Sequence, residues 1–245
     1  MSKFNGETLG VIGGCGVAAA IELLHRIEKK LVTDHNCTDD PEQPEVILYQ
    51  ATQAPSRIAY ATGQSSQSFA PYFINAAKFL KQAGATLCCI PCNTAHCVID
   101  EIEREAEVPF INLIDETLRY IVSEHATVKN VGILGSAGTV KSKLHDLSLQ
   151  KLDLRLNFIY PSNELQNEIG NGICAVKSGI MYKNPNIGQE FFTAPMNELI
   201  DNGADLIVLG CTEIPLAITA DAYRNIPLAD TIAILADACI ARCHA

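Results

Sequence analysis

Long apolar runs are missing from this chain of 245 residues. No stretch approaches the roughly 20 residues needed to cross a bilayer. The opening Met1-Ser2-Lys3-Phe4-Asn5-Gly6 lacks the apolar core of a signal peptide, so the reading is of a cytoplasmic protein with no membrane partner. Positive charge is scarce as well. Lys and Arg number 18 against 28 Asp and Glu, a formal net charge of −10. No basic stripe interrupts that balance, which excludes nucleic acid as an expected partner. One or two placed cations could still govern a small acidic substrate. Two further signatures are incomplete. Cys89 and Cys92 form a C-x-x-C with His96 and Cys97 nearby, but no second correctly spaced pair completes a zinc site. Gly13-Gly14-Cys15-Gly16 is a glycine loop without the full G-x-G-x-x-G, since Ala19 ends it, so a tight strand-to-helix turn explains it better than a dinucleotide.

Apolar residues make up 48% and charged residues 19%, as in a globular protein able to bury a core. Ten cysteines without a secretory leader suggest free thiols, each to be argued individually. Cys88 and Cys89 lie in an apolar strand, Cys239 and Cys243 share a helix face, and these, with Cys97, read as packing.

The chain contains itself twice. Gly10-Val11-Ile12-Gly13-Gly14-Cys15-Gly16 is echoed by Gly132-Ile133-Leu134-Gly135-Ser136-Ala137-Gly138. Gly84-Ala85-Thr86-Leu87, leading to Cys92, is echoed by Gly203-Ala204-Asp205-Leu206, leading to Cys211 at the same interval. Val108-Pro109-Phe110 pairs with Ile226-Pro227-Leu228, and all three pairs are offset by about 120 positions. Short apolar runs at Leu9–Gly13, Val46–Gln50, Ala85–Ile90 and Val108–Leu113 alternate with helical patterns. The second half repeats the plan at Val131–Gly135, Leu154–Tyr160, Ala204–Leu209 and Ile226–Ala229. The expected fold is α/β, with two similar three-layer parallel-sheet domains about a pseudo-two-fold axis and a site in the cleft between them. Residues 1–114 plus 230–245 are assigned to the first domain and 115–229 to the second. The final helix, Thr231 to Cys243, is expected to pack back on the first, and Asp34 to Glu45 to form a surface loop.

Ligands of open parallel sheets bind beyond the carboxyl ends of the strands, where Cys92 and Cys211 both fall. Each is followed by capping residues and a helical start, whose free N–H groups favour a thiolate and can hold a carboxylate. Two facing thiols suit inversion of a Cα centre, one removing the proton and the other returning it from the opposite side. The alternatives from other classes are a nonenzymatic dicarboxylate-binding protein and a thiol redox protein using the same pocket.

At Pro91-Cys92-Asn93-Thr94-Ala95-His96 and Gly210-Cys211-Thr212-Glu213-Ile214-Pro215-Leu216 the sequence resembles the aspartate/glutamate racemase superfamily, most nearly its aspartate racemases. The resemblance runs over nearly the whole chain. It implies a homodimeric amino-acid racemase without pyridoxal phosphate or metal, with Cys92 and Cys211 as paired acid and base. Glutamate racemases usually open with Asp-Ser-Gly and carry His after the second Cys-Thr, where this chain has the Gly13 loop and Glu213. Pro55-Ser56-Arg57 matches the aspartate type's Pro-x-Arg, and Val176-Lys177-Ser178-Gly179 its Val-Lys-x-Gly, implying Arg57 and Lys177 as the cations for a distal carboxylate. The same resemblance puts Asn93, Thr94, Ser136, Thr139 and Thr212 at the amino-acid end, with Gly14 and Cys15 in a loop lining the pocket. Many aspartate racemases have Met-Gly-Pro where this chain has Cys15-Gly16-Val17. Glutamate or broad-range racemisation and maleate-type isomerisation are the alternatives within the superfamily. Glu213 either orients a neighbour or raises the Cys211 pKa, and His96 is read as structural or surface.

Overall fold

A computed structural model describes residues 6–182 and 188–243. The first half runs β1 (Thr8–Gly13), α1 (Val17–Thr33), β2 (Glu45–Gln50), α2 (Arg57–Ala61), α3 (Ala70–Gln82), β3 (Leu87–Cys89), α4 (Ile99–Ala106), β4 (Phe110–Ile111) and α5 (Leu113–Glu124). The second runs β5 (Asn130–Gly135), α6 (Ala137–Lys141), α7 (Leu144–Lys151), β6 (Asn157–Ile159), α8 (Asn163–Lys177), α9 (Glu190–Asp201), β7 (Leu206–Gly210), α10 (Ile214–Ala217), β8 (Ala222–Tyr223), β9 (Ile226–Asp230) and α11 (Thr231–Cys243).

Each half holds one sheet. The strand order is β2-β1-β3-β4 in the first and β6-β5-β7-β9 in the second, all parallel. Both sheets therefore reverse their winding at the same place, between β1 and β3 and between β5 and β7, and the internal repeat is a repeat of topology. One strand departs from the plan. β8 pairs antiparallel with β9, joined through Arg224 and Asn225, both at positive φ. That backbone suits a two-residue hairpin, but Arg-Asn lacks the glycine that usually announces one.

The central strands β1, β3, β5 and β7 are buried almost throughout, as parallel strands covered on both faces must be. On one face of the first sheet, Leu23, Ile27 and Leu31 of α1 meet Ile232, Leu235, Cys239 and Ile240 of α11. On the other, Phe69 with Phe73 and Leu80 of α3 packs against Ile102 of α4. α1 turns inward at Ala19, Ala20, Leu23, Ile27 and Leu31, the spacing of one helix face. α11 follows the last strand of the second sheet yet lies against α1, where Lys30 Nζ meets Asp237 Oδ1 at 2.6 Å. Arg26 of α1 also pairs with Asp230 at the end of β9. α11 turns Ile234 the other way, to Leu118 and Ile121 of α5 and to the β5 and β7 residues of the second core.

Several sequence expectations are trimmed, among them the strand expected over 85–90, which narrows to Leu87–Cys89. The strand expected over 154–160 narrows to Asn157–Ile159. The one expected over 108–113 shortens to Phe110–Ile111, because Asn112 caps α5: its Oδ1 accepts from the N–H groups of Ile114 and Asp115 at 3.0 and 3.2 Å. The helical run after Cys92 opens as a 3-10 segment, Asn93–Val98, and becomes α-helical only at Ile99. The acidic loop contains one 3-10 turn, Asp40–Glu42. Among the described residues no helix is long and apolar enough to span a membrane.

Candidate active site

The carboxyl ends of the strands flanking the two reversal points face one another across a small cavity of about 40 Å³. Cys92, Asn93 and Thr94 reach it from beyond β3, and Cys211, Thr212 and Glu213 from beyond β7. Arg57 and Ser136 enter from the starts of α2 and α6, and Lys177 from the end of α8.

Local sequence explains these placements. Ser56 caps α2, its Oγ accepting from Ala59 N–H at 3.2 Å, which puts Arg57 at the first helical position. The Arg57 guanidinium is then held by backbone oxygens: Nη1 donates to Ala54 and Pro55 at 3.3 and 3.1 Å, and Nη2 to Cys15 at 2.9 Å. Among the described residues it meets no carboxylate. Ser136 caps α6 in the same way, with Thr139 N–H at 3.2 Å. Thr94, Ser136 and Thr139 form a buried triangle of hydroxyls with sides of 2.8, 3.0 and 3.2 Å, one corner from the first half and two from the second. Thr212 Oγ1 crosses the other way and donates to the Pro91 carbonyl at 2.9 Å. Asn93 Nδ2 donates to Thr231 Oγ1 at 3.4 Å, whereas its buried Oδ1 has no partner among the described residues.

Of the residues picked out in the sequence, the structure brings Arg57, Cys92, Asn93, Thr94, Ser136, Lys177, Cys211 and Thr212 to one cavity. Thr139 stands just behind, through its hydroxyl contacts. Cys15 is buried in the packed cluster against which Cys92 also lies. Gly14 does not line the cavity. Its φ of +88° and its approach to the backbone of Ala51 and Thr52 make it a turn residue where a side chain would not fit.

The sequence leaves two roles open for Glu213, which is 3% exposed. The Cys211 thiol donates to its Oε2 at 3.0 Å, while Oε1 faces Lys177 Nζ at 3.3 Å as an ion pair. Room for it comes from Gly16, where any Cβ would collide with Oε1. Glu213 occupies the place in its half that Thr94 occupies in the other, and its charge was the available signal.

These surroundings separate the thiols. Cys92 is brought down to about 7, first by the hydrogen bond from Cys15 and then by the Arg57 and Lys177 charges, against burial and Glu213. Cys211 is raised well above the ordinary thiol value, first by burial and then by the Glu213 carboxylate. Lys177 is raised: burial works against its charge, but Glu213 and the two cysteines outweigh it. His96 is a brace. Its Nε2 accepts from Leu113 N–H at 3.1 Å, so the proton sits on Nδ1, which donates to the Cys92 carbonyl at 2.9 Å. Burial lowers its pKa and keeps that neutral form. Cys89, Cys92, His96 and Cys97 do not converge: Cys89 turns to Cys239 within the core, and His96 is committed to backbone.

A doubled parallel-sheet fold with two inequivalent thiols at its central cleft defines a two-domain α/β enzyme acting on a small molecule. The chain belongs to the Asp/Glu/hydantoin racemase family, whose model matches residues 12–239. Aspartate racemase from Picrophilus torridus superposes with a TM-score of 0.79 and 27% identity, covering 96% of this chain and 94% of that one. The broad specificity amino-acid racemase RacX of Bacillus subtilis (strain 168) is 23% identical over 230 residues, 93% of this chain and 94% of its own. A glutamate racemase of Staphylococcus aureus (strain JH9) is 23% identical over 146 residues, 59% of this chain and 52% of that protein.

Proposed function

We propose that this racemase interconverts L- and D-aspartate by a two-thiol proton exchange requiring no cofactor. The observation that carries the reading is the pair itself: two thiols from matching strand ends share one cavity, one favouring thiolate and the other holding its proton.

The Cys92 thiolate takes the Cα proton of the enantiomer that presents it, leaving a planar carbanion. The Cys211 thiol returns a proton from the opposite face, and the roles reverse for the mirror image. Glu213 holds the Cys211 proton between turnovers and Lys177 balances the carboxylate. The unpartnered Oδ1 of Asn93 suits the substrate ammonium. The hydroxyl triangle and the first N–H groups after Cys92 suit the α-carboxylate. Arg57, free of any carboxylate among the described residues, is the cation for the distal carboxylate, and Lys177 stands beside it. The cavity holds little more than a water, so an amino acid enters only as the two walls part.

One observation favours a wider substrate range. Lys177 is already paired with Glu213, which leaves Arg57 as the uncommitted cation among the described residues of the site and suits an enzyme tolerant of other side chains. Both readings meet in one experiment. The protein is incubated in D2O with L-aspartate, L-glutamate and a neutral amino acid, without pyridoxal phosphate, following Cα deuteration and the D-enantiomer. Fastest conversion of aspartate supports the narrow reading, and comparable rates for all three support the broad one. Absence of both exchange and inversion on aspartate removes the aspartate assignment.

A further inference from the structure

Asn93 lines the cavity, and its buried Oδ1 accepts from nothing among the described residues. The matching residue of the other half, Thr212, has its hydroxyl committed to the Pro91 carbonyl at 2.9 Å. What orients the Asn93 amide is Thr231, the first residue of α11, which is 0% exposed and stands behind the cavity rather than in its wall. A threonine hydroxyl has one hydrogen to give. Thr231 Oγ1 gives it to the Leu209 carbonyl at 2.8 Å, two residues before Cys211. Toward Asn93, at 3.4 Å, that oxygen can therefore only accept, and the amide must present Nδ2 to it. An amide turned over would set two acceptors against each other in a buried place. Nitrogen toward Thr231 leaves oxygen toward the cavity.

We propose that Thr231 is a specificity-determining positioning residue: by committing its hydrogen to Leu209, it fixes the Asn93 amide with its oxygen toward the substrate, so that the site selects an ammonium on the reacting carbon. A carboxamide oxygen only accepts and an ammonium only donates, so the two are matched, whereas a flipped amide would present a donor to a donor. This role rests on the reading of the cleft as an amino-acid site and gives that reading its source of selectivity at the amino end. Asn93 adjoins Cys92, and Leu209 lies in the strand that leads to Cys211, so the same hydroxyl ties together the segments that carry both thiols.

The internal repeat shows that the fold does not need this hydroxyl. Asn112 caps α5 through the N–H groups of Ile114 and Asp115, and Asp230 caps α11 in the same way, through Ile232 and Ala233 at 2.8 and 3.1 Å. Thr231 is thus the counterpart of Leu113, which is likewise 0% exposed. An apolar side chain fills that place in the first half. In the second half the place is polar, and it is the one beside the Asn93 amide. The cap that holds Thr231 is itself held, because Asp230 pairs with Arg26 of α1.

The test is binding, measured by calorimetry on the full-length protein. L-aspartate, L-malate and succinate differ only in carrying an ammonium, a hydroxyl or a hydrogen on one carbon. The wild type should bind aspartate more tightly than succinate by about tenfold or more, the worth of a hydrogen bond to a charged group. Thr231→Val should weaken aspartate by about tenfold and leave malate and succinate within roughly twofold, since a hydroxyl meets either end of a freed amide and a hydrogen meets neither. Thr231→Ser, which keeps the hydroxyl, should recover the aspartate affinity. If Thr231→Val does not fold, Thr231→Ala removes the same hydroxyl and carries the same expectation. Equal weakening of all three ligands would make Thr231 a packing residue and overturn the proposal. So would an unchanged aspartate affinity, or a wild type that binds aspartate no better than succinate. The expected affinities without any Cα exchange in D2O would remove the racemase reaction and leave the role of Thr231 standing.

Discussion

Cys92 and Cys211 stand at the ends of corresponding strands in sheets of the same order, yet their surroundings push them in opposite directions. Cys92 looks onto donors and cations: the Cys15 thiol, Arg57 and Lys177. Cys211 looks onto an acceptor, the Glu213 carboxylate at 3.0 Å, within a drier enclosure. The backbone repeats, and the chemistry is set by what surrounds each sulfur: Cys15, Arg57 and Lys177 for Cys92, and burial with the Glu213 carboxylate for Cys211. A doubled fold thus supplies the opposed geometry that inversion needs, while broken symmetry leaves the pair holding one proton between two sulfurs. The asymmetry has a thermodynamic bound. Mirror-image substrates are equal in free energy, so kcat/KM is the same in both directions, and the unequal thiols show only in kcat and KM separately.

The comparison breaks most completely when one sulfur is removed. Cys92→Ala and Cys211→Ala should each lose racemisation by on the order of 10³-fold, the range of a positioned acid or base. Each should still exchange the Cα proton of one enantiomer with D2O, and opposite enantiomers in the two variants. Exchange of the same enantiomer by both would end the two-face reading.

The halves differ again in their buried histidines. His96 has partners on both ring nitrogens, whereas fully buried His145 has no hydrogen-bond partner on either among the described residues and is pushed down to about 4, chiefly by burial. The unfolded chain takes up the proton first, so this site's stability is complete above the ordinary histidine value and is lost as pH falls from 6.5 toward 4. The loss should be on the order of 3 kcal/mol, read from denaturant midpoints across that window, and His145→Gln should flatten it.

Smaller effects sharpen the contrast at the site. Arg57→Gln should raise KM for aspartate by about 10- to 100-fold, the worth of a charged hydrogen bond, with a lesser change for a neutral amino acid. Glu213→Gln should lower kcat by roughly tenfold and move the alkaline limb of the pH profile downward, because Cys211 loses the charge that raises it. Smallest is a shift of the acid limb. Activity should rise through a pH of about 7 as Cys92 ionises, and Cys15→Ala should move that midpoint upward, since the leading cause of the lowering is gone. Thiolate absorbance against pH checks the sign without a substrate.

Much of this was legible in the sequence, for physical reasons. Offset copies of a glycine loop and of a Gly-to-Cys segment can recur in order only if the topology recurs, and the two sheets share their strand order. Eight of the named site residues meet because strand ends and helix caps are local features that sequence marks. What was not legible depends on distance in the fold. Whether Glu213 would orient a neighbour or raise Cys211 turned on the approach of Gly16 and Lys177 from remote segments, and the structure shows it in contact with both Cys211 and Lys177. That Cys15 and Cys92 belong to one packed cluster likewise depends on the loop after β1 lying beside the end of β3. The β8 hairpin escaped because Arg224 and Asn225 adopt positive φ without glycine.

The swap of α11 onto the first sheet has a consequence for how the molecule is made. The ribosome delivers α1 early and α11 only after every strand of the second sheet, yet Ile232, Leu235 and Ile240 seal the face that α1 began. At about 5 to 20 residues per second, α1 waits roughly ten to forty seconds with its apolar flank uncovered. Its folding cannot be completed in the order of its synthesis, and that interval is when a chaperone would find it.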